Sequence, residues 1–157
     1  MHVSDVPLGV LVADSHPLAG VPAVSWGDLD GQDLLWFDRE LAPGYHDAVP
    51  AACRAAGWRP GRLRKGPPRH GLLVAELRHG GAVVALRPHW DRRDGDGLSW
   101  VPLAADPPRL RHALVWDPSH DRSDLLAAMA ADLRMGGAAL LATGGVGFAR
   151  RRLPHDG

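Results

Sequence analysis

Apolar positions along this chain fall into two rhythms. Short continuous apolar runs at residues 6–12 (VPLGVLV), 34–37 and 82–86 have the length of buried strands, and residues 62–64, 98–103 and 113–116 complete the predicted strand set. Pro7 sits near the start of the first run, where a missing N–H is tolerated. Between the runs the spacing turns helical. Tyr45, Val49, Ala52, Cys53 and Ala56 lie on one face of a helix predicted over residues 44–56, with Gly57 at the C′ position. Leu72, Leu73 and Leu77 predict a second helix, stopped by Gly80 and Gly81. Leu125, Leu126, Met129, Ala130 and Leu133 predict a third over residues 123–134, begun by Asp124 and ended by Gly136 and Gly137. Ser25 and Asp28 have the spacing of an acidic capping box, which predicts a short helical turn. Pro50 lacks an N–H inside its helix and predicts a kink or a late start there.

Strands alternating with helices define an α/β domain. Residues 69–88 carry its organising unit: a helix, a glycine turn, a core strand and a proline exit. A parallel strand as apolar as residues 82–86 needs strands on both edges and helices on both faces. No amphipathic period continues past Met135, so residues 135–157 are expected to form a flexible tail.

Composition narrows the class. With 157 residues, 45% hydrophobic and 23% charged, the chain is sized for one domain with a real core, and its 19 glycines and 14 prolines imply short elements and frequent turns. Its single cysteine, Cys53, allows no internal disulfide, and no apolar segment follows a basic N-terminus. No run approaches the ~20 apolar residues that span a bilayer, so a cytoplasmic protein without membrane contact is expected. The net charge of zero hides an asymmetry: eight acids against two Arg in residues 1–58, nine cations against two acids in residues 59–93. Arg59, Arg62, Arg64, Lys65 and Arg69 are scattered around one predicted strand and its loops, which reads as a solvated face rather than a nucleic-acid footprint. Lys65 is the chain's one lysine and reads as codon bias.

Catalytic chemistry finds no foothold in the pattern. The histidines, among them His70, His79, His89, His112 and His120, have no metal-ligand spacing, no serine sits in a GxSxG turn, and Cys53 lies on an apolar helix face beside alanines. No enzyme, metal or cofactor is expected. Two strand-to-helix loops remain: Phe37-Asp38-Arg39 before the first helix, and Gly66 to His70 before the second. Loops at the carboxyl ends of strands that lead into helix N-termini bind ligands, anions above all, and they also occur as ordinary connections.

Several segments in order resemble the effector-binding (substrate-binding) domain of LysR-type transcriptional regulators. Residues 10–19, VLVADSHPLA, are similar to that family's strand and His-Pro-Leu-Ala turn, and residues 25–29, SWGDL, to its short Asp-Leu helix. Residues 45–60, YHDAVPAACRAAGWRP, resemble its helix with an Ala-Gly-x-x-Pro corner, and residues 77–88, LRHGGAVVALRP, its Leu-Val-x-x-Gly-x-Gly-Val-x-x-x-Pro signature. Val83 stands where that signature has its second glycine, and Pro50 interrupts a helix the family keeps regular.

The resemblance implies a type II periplasmic-binding-protein-like α/β fold of two lobes with a small-molecule effector in the cleft. On that template residues 1–13 are a crossover strand and first-lobe remnant, and residues 14–105 a complete second lobe. Residues 106–134 are then the return crossover and a first-lobe helix, so the first lobe is partial. The family's N-terminal helix-turn-helix has no counterpart before Met1, so direct DNA contact by this chain is not expected. Effector-facing positions carried over are Phe37, Asp38 and Arg39 at the first loop and Gly66 and Pro67 at the second. Arg39 would suit a carboxylate effector, and Asp38 would oppose one. The implied function is a small-molecule sensing domain of a transcriptional regulator, as a homo-oligomer or with an intact LysR-type regulator. The competing reading is an interaction module that dimerises with intact regulators without binding a ligand.

Overall fold

The computed structural model describes residues 1–142, with side-chain surroundings through residue 135. Seven strands and three α-helices are described: β1 (His2–Pro7), β2 (Gly9–Ala13), β3 (Asp33–Trp36), α1 (Pro43–Ala55), β4 (Leu63–Lys65), α2 (His70–His79), β5 (Val83–Arg87), β6 (Leu98–Pro102), β7 (Arg109–Ala113) and α3 (Ser123–Ala142). They divide into two compact units, Val6–Leu110 and a second made of Met1–Asp5 with the chain from Arg111 onward.

The larger unit is built on a five-stranded sheet in the order β4-β3-β5-β2-β6. Strand β5 has the two neighbours its apolar run demands, but they differ. It pairs parallel with β3 (Leu35 opposite Ala85) and antiparallel with β2 (Leu11 opposite Ala85), so the sheet is mixed. Side chains alternate between its faces with the period of two that strands impose. Val10, Val12, Leu34, Trp36, Val84 and Leu86 enter one cluster with Val49 and Cys53 of α1 and with Trp58. Leu11, Leu35, Val83 and Ala85 enter the other with Leu73 and Leu77 of α2. One helix therefore seals each face, and no charged or polar residue is fully buried among the described residues.

Helix α1 runs unbroken through Pro50, without the late start predicted for it. Pro50 has no N–H for the carbonyl four residues back, His46 O; that oxygen accepts instead from Trp36 Nε1 at 3.2 Å. The proline defect is thus repaired by β3, and the same bond ties the first turns of α1 to the strand end. At the far end Gly57 adopts φ 101°, its N–H donates to Arg54 O at 3.2 Å, and Trp58 N–H donates to Cys53 O at 2.9 Å, a Schellman stop. The capping box at Ser25 and Asp28 is present as predicted. Asp28 Oδ2 accepts from Ser25 N at 2.8 Å and from its hydroxyl at 2.7 Å.

Three predicted boundaries move. The first apolar run is two strands, because the ladder changes partners at Leu8. Pro7 cannot donate, and Leu8 N–H donates to Pro108 O at 2.8 Å instead. Strand β1 pairs with β7 in a separate two-stranded sheet, while β2 enters the large sheet. The return strand is β7, five residues of polar texture (RLRHA), and not the apolar residues 113–116; Val115 is instead 91% exposed. Pairing with β1 overrode the local apolar pattern. Helix α3 runs on through Gly136 and Gly137 to Ala142, so residues 135–142 are not the loose tail the composition suggested. The remainder of that predicted tail, from residue 143, lies outside the described residues.

Candidate functional site

The carboxyl ends of β3 and β4 lie side by side, since the two strands are parallel and Trp36 is paired with Lys65. The loops leaving them are therefore neighbours. Gly66 N–H donates to Trp36 O at 2.6 Å, and a Cβ on Gly66 would stand 3.1 Å from that oxygen. The close approach explains the glycine: a side chain there would push the two loops apart. Asp38 and Lys65 complete the junction with an ion pair that holds the Asp38 carboxyl below the usual carboxylate range. Asp38 also caps the 3-10 turn Arg39–Leu41, accepting from Glu40 N–H at 3.4 Å.

Of the five site residues expected from sequence, Phe37 and Asp38 adjoin Gly66 and Pro67 at this junction. Phe37 is half-buried and packs on aromatic neighbours, with ring centroids 4.8 Å from Trp36 and 5.8 Å from Tyr45, the latter stacked at 12°. Arg39 turns aside. Its guanidinium makes a fork on Asp47 of α1, with Nε 3.0 Å from Oδ1 and a terminal nitrogen 2.7 Å from Oδ2. The Arg39 fork, and after it His46 Nδ1 at 3.0 Å, push the Asp47 carboxyl down to about 2.

Neither helix that starts at these loops has its own side-chain cap. Ala42 precedes α1 and Arg69 precedes α2, and neither makes a side-chain capping bond. First-turn N–H groups without a side-chain acceptor carry the positive end of the helix dipole into the junction. Burial pushes the Tyr45 hydroxyl up to about 12, so it remains a hydrogen-bond donor at any physiological pH.

Sequence reading missed Lys65, Tyr45 and the His46-Asp47 pair. Lys65 had a signal: one lysine in a chain otherwise using arginine, at the end of a strand. Asp47 had one too, since it follows Arg39 by two helical turns, though only the fold brings the 3-10 turn and α1 together. Among the described residues no cluster of three potential metal ligands exists, and no helix is long and apolar enough to cross a membrane. The opposite end of the sheet holds a groove of about 380 Å³ lined by Ala13, Ser15, His16, Gln32, Arg78 and Gly81. His16 caps its own turn there and reaches Gln32 Oε1 at 3.2 Å, so its imidazole is engaged on both nitrogens.

Comparisons with known proteins agree with this architecture. The LysR substrate binding domain family matches residues 1–137. The uncharacterized HTH-type transcriptional regulator YnfL of Escherichia coli (strain K12) is 25% identical over 118 residues, covering 74% of this chain and 39% of that protein. An OxyR mutant from Corynebacterium glutamicum is similar in structure with a TM-score of 0.70 at 22% identity, covering 94% of this chain and 47% of that one. The BenM effector binding domain with its effector benzoate is similar with a TM-score of 0.65 at 18% identity, covering 99% of this chain and 68% of that one. This chain thus spans less than half the length of the regulator it matches by sequence. The fold is the type II periplasmic-binding-protein-like α/β fold of LysR effector-binding domains, and the chain belongs to the LysR substrate binding domain family.

Proposed function

We propose that this chain is a small-molecule effector-sensing domain in transcription regulation, and that its effector contacts the junction of the β3 and β4 loops. In this reading Phe37 and Pro67 supply the apolar wall, Gly66 the close backbone approach, and Asp38 and Arg39 the charged rim. Residues 14–105 are the family's second lobe, residues 1–13 and 106–134 hold the crossovers and part of the first lobe, and DNA contact belongs to other segments or partners. The compartment is the cytoplasm. The observation that carries the reading is the Gly66 N–H to Trp36 O bond of 2.6 Å, which sets two ligand-type loops in one place. The benzoate held by the BenM domain supports a carboxylate as the effector class. Such a ligand would compete with Asp47 for Arg39, which makes Arg39 a switchable contact rather than a waiting one.

A ligand binding only the folded chain at a hundred times its Kd stabilises it by about 2.7 kcal/mol. A thermal-shift screen of small organic acids should find such a stabiliser, and Phe37→Ala or Gly66→Val should abolish the shift. A screen without stabilisers, or a shift indifferent to both substitutions, would sink the reading.

A second reading, an interaction module that pairs with copies of itself or with intact regulators, is favoured by α3. Leu125, Met129 and Leu133 recur at every fourth position and remain 56%, 51% and 54% exposed. Sedimentation of the chain alone and with an intact LysR-type regulator decides it; a chain that stays monomeric in both cases leaves α3 without that role.

A further inference from the structure

The groove of about 380 Å³ at the opposite end of the sheet has no part in the effector reading, yet its volume is that of a small-molecule site. Three chain junctions meet around it. Ser15 and His16 stand in the turn after β2, Gln32 immediately precedes β3, and Arg78 lies in the last turn of α2. A second cavity of about 300 Å³ adjoins it and shares Ala13, Ser15 and Arg78. One chain of hydrogen bonds fixes what Gln32 offers. Leu18 N–H donates to His16 Nδ1 at 3.2 Å, so the neutral imidazole carries its proton on Nε2. That Nε2–H, 3.2 Å from Gln32 Oε1, holds the amide by its oxygen and leaves the Gln32 NH2 group with no acceptor among the described residues. Arg78 is likewise uncommitted. Arg39, Arg64, Lys65 and Arg87 each have a carboxylate partner, whereas the Arg78 guanidinium makes no hydrogen bond or ion pair among the described residues. No acidic residue lines the larger groove. Asp14 lines only the smaller cavity, and its Oδ1 accepts there from the Ser99 hydroxyl at 2.6 Å.

We propose that this groove is a second ligand site, separate from the junction of the β3 and β4 loops, and that it binds a phosphate group, free or borne on a small apolar body. Arg78 supplies the charge and a fork of donors, and the Gln32 NH2 group and the Ser15 hydroxyl donate from the other walls. A tetrahedral anion presents oxygens in several directions and so uses donors from three elements at once, where one arginine fork already satisfies a planar carboxylate. Pro17, Leu77 and Ala82 give the groove an apolar side on which the body of an ester rests. Asp14 repels an anion from the smaller cavity and so confines it to the larger one. The last carbonyls of α2, just before Gly80 and Gly81, carry the negative end of the helix dipole and oppose the anion, which makes binding weak and salt-sensitive.

Inorganic phosphate and phenyl phosphate are the probes, titrated separately into the full chain at constant ionic strength set with sodium chloride. The Gln32 NH2 and arginine Nε–H signals in nitrogen-15 NMR report the binding. Saturable shifts of the Gln32 amide and of Arg78 Nε–H are expected; tighter binding of phenyl phosphate identifies an ester as the ligand, and tighter binding of inorganic phosphate the free anion. Arg78→Gln should weaken binding about tenfold, the loss of one charge-assisted contact. Gln32→Glu keeps an acceptor for His16 but replaces the donor with a negative charge, and it should abolish binding; both variants should leave circular dichroism unchanged. Arg39→Ala, at the other end of the sheet, should leave the affinity within about twofold, as expected of a contact not made. Shifts that never saturate, shifts that chloride alone reproduces, or binding that survives both Arg78→Gln and Gln32→Glu would each overturn the proposal. Phosphate binding lost in Arg39→Ala instead would place the anion at the junction of the β3 and β4 loops, overturning the second site while leaving the effector-sensing reading intact.

Discussion

The two units of this molecule satisfy themselves to different degrees. The unit of residues 6–110 buries both faces of its sheet and pairs some of its surface charges, Arg39 with Asp47, Lys65 with Asp38 and Arg64 with Glu76 at 2.9 Å. The unit of residues 1–5 and 111 onward has Ala130 as its one fully buried apolar residue among those described, and exposes Val115, Leu125, Met129 and Leu133. A two-stranded sheet and one helix cannot enclose a core, because each needs a further layer against its apolar face. The comparison teaches where burial is concentrated in the chain. The larger unit covers its own apolar surface, and the smaller leaves much of its own exposed.

Substitutions at corresponding extremes of burial should break the symmetry most plainly. Trp58 is fully buried, stacks on Trp26 with ring centroids 6.3 Å apart and donates from Nε1 to Leu29 O at 2.7 Å. Trp58→Ala should cost about 3–5 kcal/mol in urea unfolding, whereas Val115→Ala in the smaller unit should change stability by less than about 0.5 kcal/mol. Comparable losses at both positions would mean that the smaller unit has a core after all.

Gly9 tests the same contrast with added volume. It sits where the chain enters the large sheet, and a Cβ there meets the Trp100 ring and comes within 2.7 Å of Val101 O. Because the obstacle includes backbone, relaxation is limited, and Gly9→Ala should destabilise by about 1–3 kcal/mol or more. A variant as stable as the original would show that Trp100 moves freely.

These two residues also mark what a sequence can and cannot disclose. The alternation of Val10, Leu11 and Val12, the capping box at Ser25, the Schellman glycine at Gly57 and the stop at Gly81 are local physics, and all were legible before any fold was known. The β2 insertion between β5 and β6 was not, because strand order is decided by partners far away in the chain. Strand β7 was misread for the same reason: its polar residues join a ladder only because β1 lies beside them. At the candidate site the loops were legible from the strand-to-helix pattern, while the fate of each charge was not. Whether Arg39 faces a ligand or Asp47 depends on how α1 packs, and that packing hangs on Trp36 and Pro50 together.

Cys53 reports on the closure of the larger unit through chemistry rather than stability. Burial beneath α1 pushes its thiol up to about 12, so almost no thiolate exists near neutral pH. A thiol reagent should therefore leave the native chain unmodified and label it fully in denaturant. Fast labelling of the native chain would mean that α1 lifts from the sheet, and the Phe37–Tyr45 wall with it.

The smallest effect concerns the surface pairing of the larger unit. Asp47 has its folded pKa depressed from an ordinary 3.8 to about 2, first by Arg39 and then by His46. A depressed acid contributes stability that is present above the unfolded pKa, and it is lost as pH falls through the folded value. The contribution of Asp47 should thus fade between about pH 4 and pH 2 and stay constant at neutral pH. Because both partners are exposed, solvent and salt screening keep that contribution small. Carboxyl NMR should place the Asp47 midpoint near 2, and Arg39→Ala should raise it towards the ordinary value while His46 keeps it from arriving. An unshifted midpoint in the original chain would mean that Arg39 is not held by Asp47. In that event Arg39 would stand open to a ligand, a waiting contact rather than a switchable one.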